Sequence, residues 1–150
     1  MKPAIKFTAL FLLFTGLEKA ASAQFLVSQY KPKNQTEKTI LVKIKALPEI
    51  KEWLAAHKKS HADLIFNIPD SPFEDYSIQI GIGEDMFRTS YWLYINPKTY
   101  AIYFNDFFDE SGSKAIPLEQ WRYWRNKPGF FDLHKWQHGK LIILKVGKTH

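Results

Sequence analysis

The chain has 150 residues, a formal net charge of +6 and no Cys. That length suits one domain with one core. The absence of Cys excludes disulfides and a thiol nucleophile, so the fold must be held by packing, for which 5 Trp, 7 Tyr and 12 Phe supply large rings.

In chain order, the first residues read as a leader. Lys2 and Lys6 form a positive start, residues 7–17 are an apolar run too short to span a bilayer, and Ala21–Ser22–Ala23 is an A-x-A cleavage site. The expected division is a signal peptide over residues 1–23, cut near Ala23, and one exported domain over residues 24–150, periplasmic or secreted. Removing Lys2, Lys6, Lys19 and Glu18 lowers the charge from +6 to +4. Export and this mild charge make nucleic acid an unexpected partner and leave acidic envelope polymers and acidic proteins open. No later segment is apolar enough to be transmembrane in the mature form.

Phe25–Leu26–Val27 suits a short strand or an unstructured start, and residues 31–38 are polar and read as a loop. Within that loop Asn34–Gln35–Thr36 matches a glycosylation sequon, which counts only in a eukaryotic host. Over residues 39–45, Ile40, Val42 and Ile44 alternate with Lys43 and Lys45, which predicts a half-buried strand. Pro48 then opens a helix reaching about Ser60, with Ile50, Trp53, Leu54 and His57 on one stripe. A short strand at Leu64–Ile65–Phe66 and a breaker cluster at residues 69–72 follow.

Residues 75–104 are the most regular part of the chain. Tyr76, Ile78, Ile80 and Ile82 alternate with Ser77, Gln79, Gly81 and Gly83, the period of a strand with one buried face. The chain turns at Glu84–Asp85, returns through residues 91–95, turns at Asn96–Pro97–Lys98–Thr99 and continues through residues 100–104. Residues 105–113 form an acidic loop. Pro117 opens a short helix with Leu118, Trp121 and Arg125 in register, stopped by Pro128–Gly129, and residues 140–146 close the chain as a last strand. The predicted class is α+β: an antiparallel sheet with one helix packed across a face, a short second helix and a C-terminal strand.

Two stretches carry a family resemblance. The helix opening "LPEIKEWLAAH" at residues 47–57, and the strands "YSIQIGIG" and "YWLYINPKTYAIY" around the Asn96–Pro97–Lys98–Thr99 turn, resemble a PepSY-like domain of the cystatin-like fold group over residues 46–104. Tyr100 stands where Gly is usual in that turn. The resemblance implies a small exported module without catalysis that binds or inhibits a partner protein of the envelope, often a hydrolase. It assigns no functional residue here.

Candidate chemistry is sparse. His57 and His61 are four apart, as are His134 and His138, a spacing that lets two His share a metal on a helix. No H-E-x-x-H pattern accompanies them, and no metal or other cofactor is expected. Asp106, Asp109 and Glu110 share a Gly- and Ser-containing loop without the alternation of a calcium loop. There is no G-x-S-x-G and no Gly-rich phosphate loop. A small envelope enzyme of a cystatin-related cone fold stays open as an alternative, because catalytic carboxylate pairs meet only in space.

The candidate ligand-binding residues are Trp121, Arg122, Trp124 and Arg125, within the stretch Trp121–Lys127. Rings there can stack on sugars and Arg can pair with anions, which defines a glycan- or polyanion-binding alternative, with an acidic glycan as partner. The plainer expectation is that the rings pack the short helix on the sheet and the Arg side chains reach water.

Overall fold

The computed structural model describes residues 23–71, 74–83 and 86–144. The expected leader, apart from Ala23, the expected turn at Glu84–Asp85 and the end of the expected C-terminal strand lie outside the described residues. Among the described residues, eight strands and three helices follow one another as β1 (Ala23–Leu26), α1 (Gln35–Ala46), α2 (Pro48–Ala56), β2 (Ala62–Ile68), β3 (Tyr76–Ile82), β4 (Arg88–Ile95), β5 (Ile102–Asp106), β6 (Lys114–Pro117), α3 (Leu118–Trp124), β7 (His134–Gln137) and β8 (Lys140–Ile143). The class is α+β. Strands β1 to β6 form one antiparallel sheet in sequence order, and β7 and β8 form a separate hairpin. The C-terminal strand therefore pairs with β7 and not with the main sheet. Strand β6 follows directly on the expected acidic loop of residues 105–113, and strand β7 falls where a loop or turn reaching Gly139 is expected.

Register puts one apolar face together. Phe66 lies opposite Ile78, Ile78 opposite Leu93, and Leu93 opposite Phe104, which lies opposite Ile116. All five are buried, and they share a core with Ile40 and Ile44 of α1, Ile50 and Trp53 of α2, and Leu118 and Trp121 of α3. Each such side chain contributes about 1.5–3 kcal/mol on burial. Trp53 of the expected stripe is buried, and Leu54 is half-buried against the same core. Near its end β3 shifts register against β4 between Ile80 and Gly81. A Cβ on Gly81 would lie 2.2 Å from the Arg88 carbonyl oxygen, so this bulge needs glycine.

The largest departure from the sequence expectation is residues 39–45, which belong to helix α1 and not to a strand. Ile40 and Ile44 are spaced for a helix as well as a strand; Leu41 completes the buried stripe while Val42 is exposed. The start signal decides it. Asn34 caps the helix, its Oδ1 accepting from the Glu37 backbone amide at 2.9 Å, and its side-chain Nδ2 donates back to Glu37 Oε1 at 2.8 Å. Leu47 ends α1 in an extended conformation, as the residue before Pro48 favours. Helix α2 ends at Ala56, four residues short of the expected Ser60.

Tyr100 takes the left-handed conformation, with φ +56°. This backbone is costly for a residue with a Cβ. The turn over-determines it: the Tyr100 amide donates to the Asn96 carbonyl at 2.8 Å, and Asn96 Oδ1 accepts from the Lys98 and Thr99 amides, both at 3.0 Å. The ring is used too, since it packs against the core and lies beneath the Lys43 ammonium of α1.

Candidate functional site: a phenylalanine-ringed cleft

Strand β4 starts at Arg88, but its pairing with β5 stops at Leu93 opposite Phe104. The two strands separate beyond that point, and α3 fills the gap. Trp121 stacks on Phe104 with centroids 4.8 Å apart and planes 10° apart, and meets Tyr91 edge-on at 5.4 Å. These three rings floor a cleft of about 110 Å³ whose rim carries Ser90, Phe107, Phe108, Arg125, Asn126 and Phe131. The rim rings are turned out: Phe107 is 44% exposed, Phe108 36% and Phe131 65%. Phe131 is held against Phe108 at 5.6 Å and against the buried Phe130 at 5.2 Å, both edge to face. Three large exposed rings thus gather at one concave site.

The structure distributes the four expected binding residues over different jobs. Trp121 is the cleft floor. Arg125 lies on the cleft wall, its guanidinium 4.9 Å from the centre of the Trp121 ring. Arg122 faces the other way: its Nε and Nη2 donate to the two oxygens of Glu49 at 2.6 and 3.1 Å, and its Nη1 donates to Glu119. Trp124 is half-buried edge-on to Trp136 at 5.9 Å, with the Lys127 ammonium over its ring. Trp124 and Arg125 therefore do not form one exposed plane. Phe107, Phe108, Phe131 and Tyr91 were missed as site residues. The available signal was the pair of Phe–Phe doublets inside otherwise polar, acidic loops.

The Arg122–Glu49 pair joins α3 to α2. Burial of Glu49 works to raise its carboxyl, but the bonds from Arg122 outweigh this and hold it below the usual carboxylate range. The ionised form is therefore favoured by folding. Its contribution is present above the unfolded carboxyl value of about 4.3 and is lost as pH falls through the lower folded value. Arg122→Gln should cost about 1–3 kcal/mol at neutral pH, and the deficit should shrink in urea melts at strongly acidic pH. An equal deficit at both pH values would mean that the guanidinium acts by packing and not by charge.

Behind the rim lies a closed polar network. Asp106 and His134 are both fully buried. Asp106 Oδ2 receives His134 Nε2 at 2.7 Å and Trp136 Nε1 at 2.7 Å, and Oδ1 accepts from the Phe108 amide at 3.0 Å. His134 Nδ1 lies 2.8 Å from the Asp132 carbonyl, which can only accept, so Nδ1 carries a proton. Both ring nitrogens are engaged and neither side chain reaches solvent, so this Asp–His pair orders the Phe-bearing loops and presents nothing to a substrate. Asp109 is also internal, accepting from the Ser111 amide at 3.0 Å. His57 sits at the end of α2, its Nδ1 2.8 Å from the Trp53 carbonyl; His61 and His138 have positive φ in turns, so neither His pair shares a helix face. Among the described residues no three His, Asp or Glu side chains gather as a metal site, and no helix is long and apolar enough to cross a membrane.

Compared with known proteins, the chain matches no family model, no curated protein and no solved structure.

Proposed function

We propose that this chain is an exported binding module without catalysis, and that it docks a partner protein of the cell envelope at the phenylalanine-ringed cleft. One observation carries the reading: Phe107, Phe108 and Phe131 stand exposed around a cavity floored by Trp121. Aromatic residues around a pocket are the usual anchors of protein interfaces. The leader-like residues 1–23 support export, and the PepSY-like resemblance of residues 46–104 supports a binding or inhibitory role. The buried Asp106–His134 pair is spent within the fold, which suits binding better than chemistry.

The test uses residues 24–150 as bait on a native envelope extract, beside the double variant Phe107→Ser/Phe131→Ser. Both changes are at exposed rings, so melting should be nearly unchanged. The expected result is a protein retained by the native bait and lost with the variant. Identical recoveries from the two baits would sink the reading, and selective retention of an acidic glycan would move it to the polyanion alternative.

A further inference from the structure

We propose that the cleft selects an apolar, ring-sized side chain that carries or adjoins a carboxylate, with the ring seated among Phe107, Phe108 and Phe131 and the carboxylate paired to Arg125. The inference rests on the docking reading above and narrows it to one chemistry. The cavity of about 110 Å³ is on the scale of a single ring; an apolar cavity of roughly 150 Å³ is known to hold benzene. Its floor and half of its rim are aromatic, so a polar sugar would lose most of its hydrogen bonds there without replacement.

The wall carries one cation. Glu49 attracts Arg125 electrostatically, but its hydrogen bonds come from Arg122, at both oxygens. Among the described residues no carboxylate pairs with Arg125. Its guanidinium instead rests over the Trp121 ring at 4.9 Å, a contact that restrains it, and among the described residues it makes no side-chain hydrogen bond. A guanidinium restrained in this way is pre-organised for a carboxylate, and Asn126 on the same rim adds an amide donor. The net positive charge of the chain favours the same partner.

N-acetyl-phenylalanine and its amide are suitable probes, since they differ only at the carboxylate. Binding to the whole mature protein can be followed by the indole N–H signal of Trp121, assigned with Trp121→Phe. The acid should bind about fivefold to tenfold tighter than the amide, a difference of one charge-assisted hydrogen bond partly screened by water. Arg125→Gln should erase that preference, Arg125→Lys should keep part of it, and Phe131→Ser should weaken both probes alike. Equal binding of acid and amide, or a preference that survives Arg125→Gln, would overturn the carboxylate assignment while leaving the docking reading in place. Failure of both probes to bind, together with no effect of the Phe107/Phe131 double variant on partner recovery, would remove both. A concentration-dependent dimer abolished by Phe131→Ser in sedimentation would make a second copy of this chain the occupant and overturn the proposal.

Discussion

Asp106→Ala should cost the protein about 3–5 kcal/mol in urea melts, the scale expected when two or three buried polar groups lose their partner at about 1–3 kcal/mol each. Three groups converge on this carboxyl: His134 Nε2, Trp136 Nε1 and the Phe108 amide. Alanine leaves all three without their partner at a fully buried position, and each orphaned group carries its own desolvation cost. The geometry makes the loss cooperative. His134 is anchored to the Asp132 carbonyl on its other side, and Trp136 braces Trp124. Asp106→Asn should be milder, because the amide oxygen can still accept from one or two of the donors. Combining Asp106→Ala with His134→Ala should give clear non-additivity, since the second change removes a group that the first has already orphaned. A loss below ~1 kcal/mol for Asp106→Ala would show that the network closes around water without strain.

Trp121→Ala should be as damaging, at about 3–5 kcal/mol, the usual cost of truncating a buried ring. Trp121 is 2% exposed, stacks on Phe104 and meets Tyr91 edge-on. Its removal would join the space it occupied to the cleft, so the site would lose its floor as well as the core losing its contacts. The position therefore couples stability to recognition in a way its neighbour does not: Arg125→Gln should leave the melt almost unchanged while altering ligand preference. Parallel denaturation of the two variants decides this. If Trp121→Ala melts like the native protein, the ring is not the bridge between sheet and α3.

Where the sequence was legible, the reason is a period. Tyr76, Ile78 and Ile80 show alternation with no competing spacing, and the meander of β3, β4 and β5 follows from it. Pro48 and the stripe through Ile50 and Trp53 made α2 equally plain. Residues 39–45 failed because Ile40 and Ile44 satisfy both a strand and a helix. The deciding information was the Asn34–Glu37 cap, whose first residue also begins a glycosylation motif. The site was half legible. The Trp121–Arg125 stretch stood out, but Arg122 is committed by Glu49, 73 residues away in sequence, and Phe108 and Phe131 meet only because two loops are drawn together around Asp106 and His134. No local pattern encodes such meetings.

The cap of α1 has a second consequence, for the order in which the fold is completed. Strand β1 reaches β2 across both helices, with the Val27 amide bonded to the Leu64 carbonyl at 2.8 Å. Closing a loop of that span costs about 3 kcal/mol of chain entropy, more than a four-residue edge strand offsets comfortably by its backbone bonds. The connection is shortened by a side chain. Glu37, which closes the Asn34 cap, also accepts from the Tyr30 hydroxyl at 2.7 Å, and Tyr30 lies between the rings of Phe25 and Phe66 at 4.7 and 5.4 Å. One carboxylate thus serves both as the first turn of a helix and as the latch of the sheet's outermost strand. The entropy of closure falls on the helix and the strand together, and β1 is a conditional strand, stable once α1 has already formed.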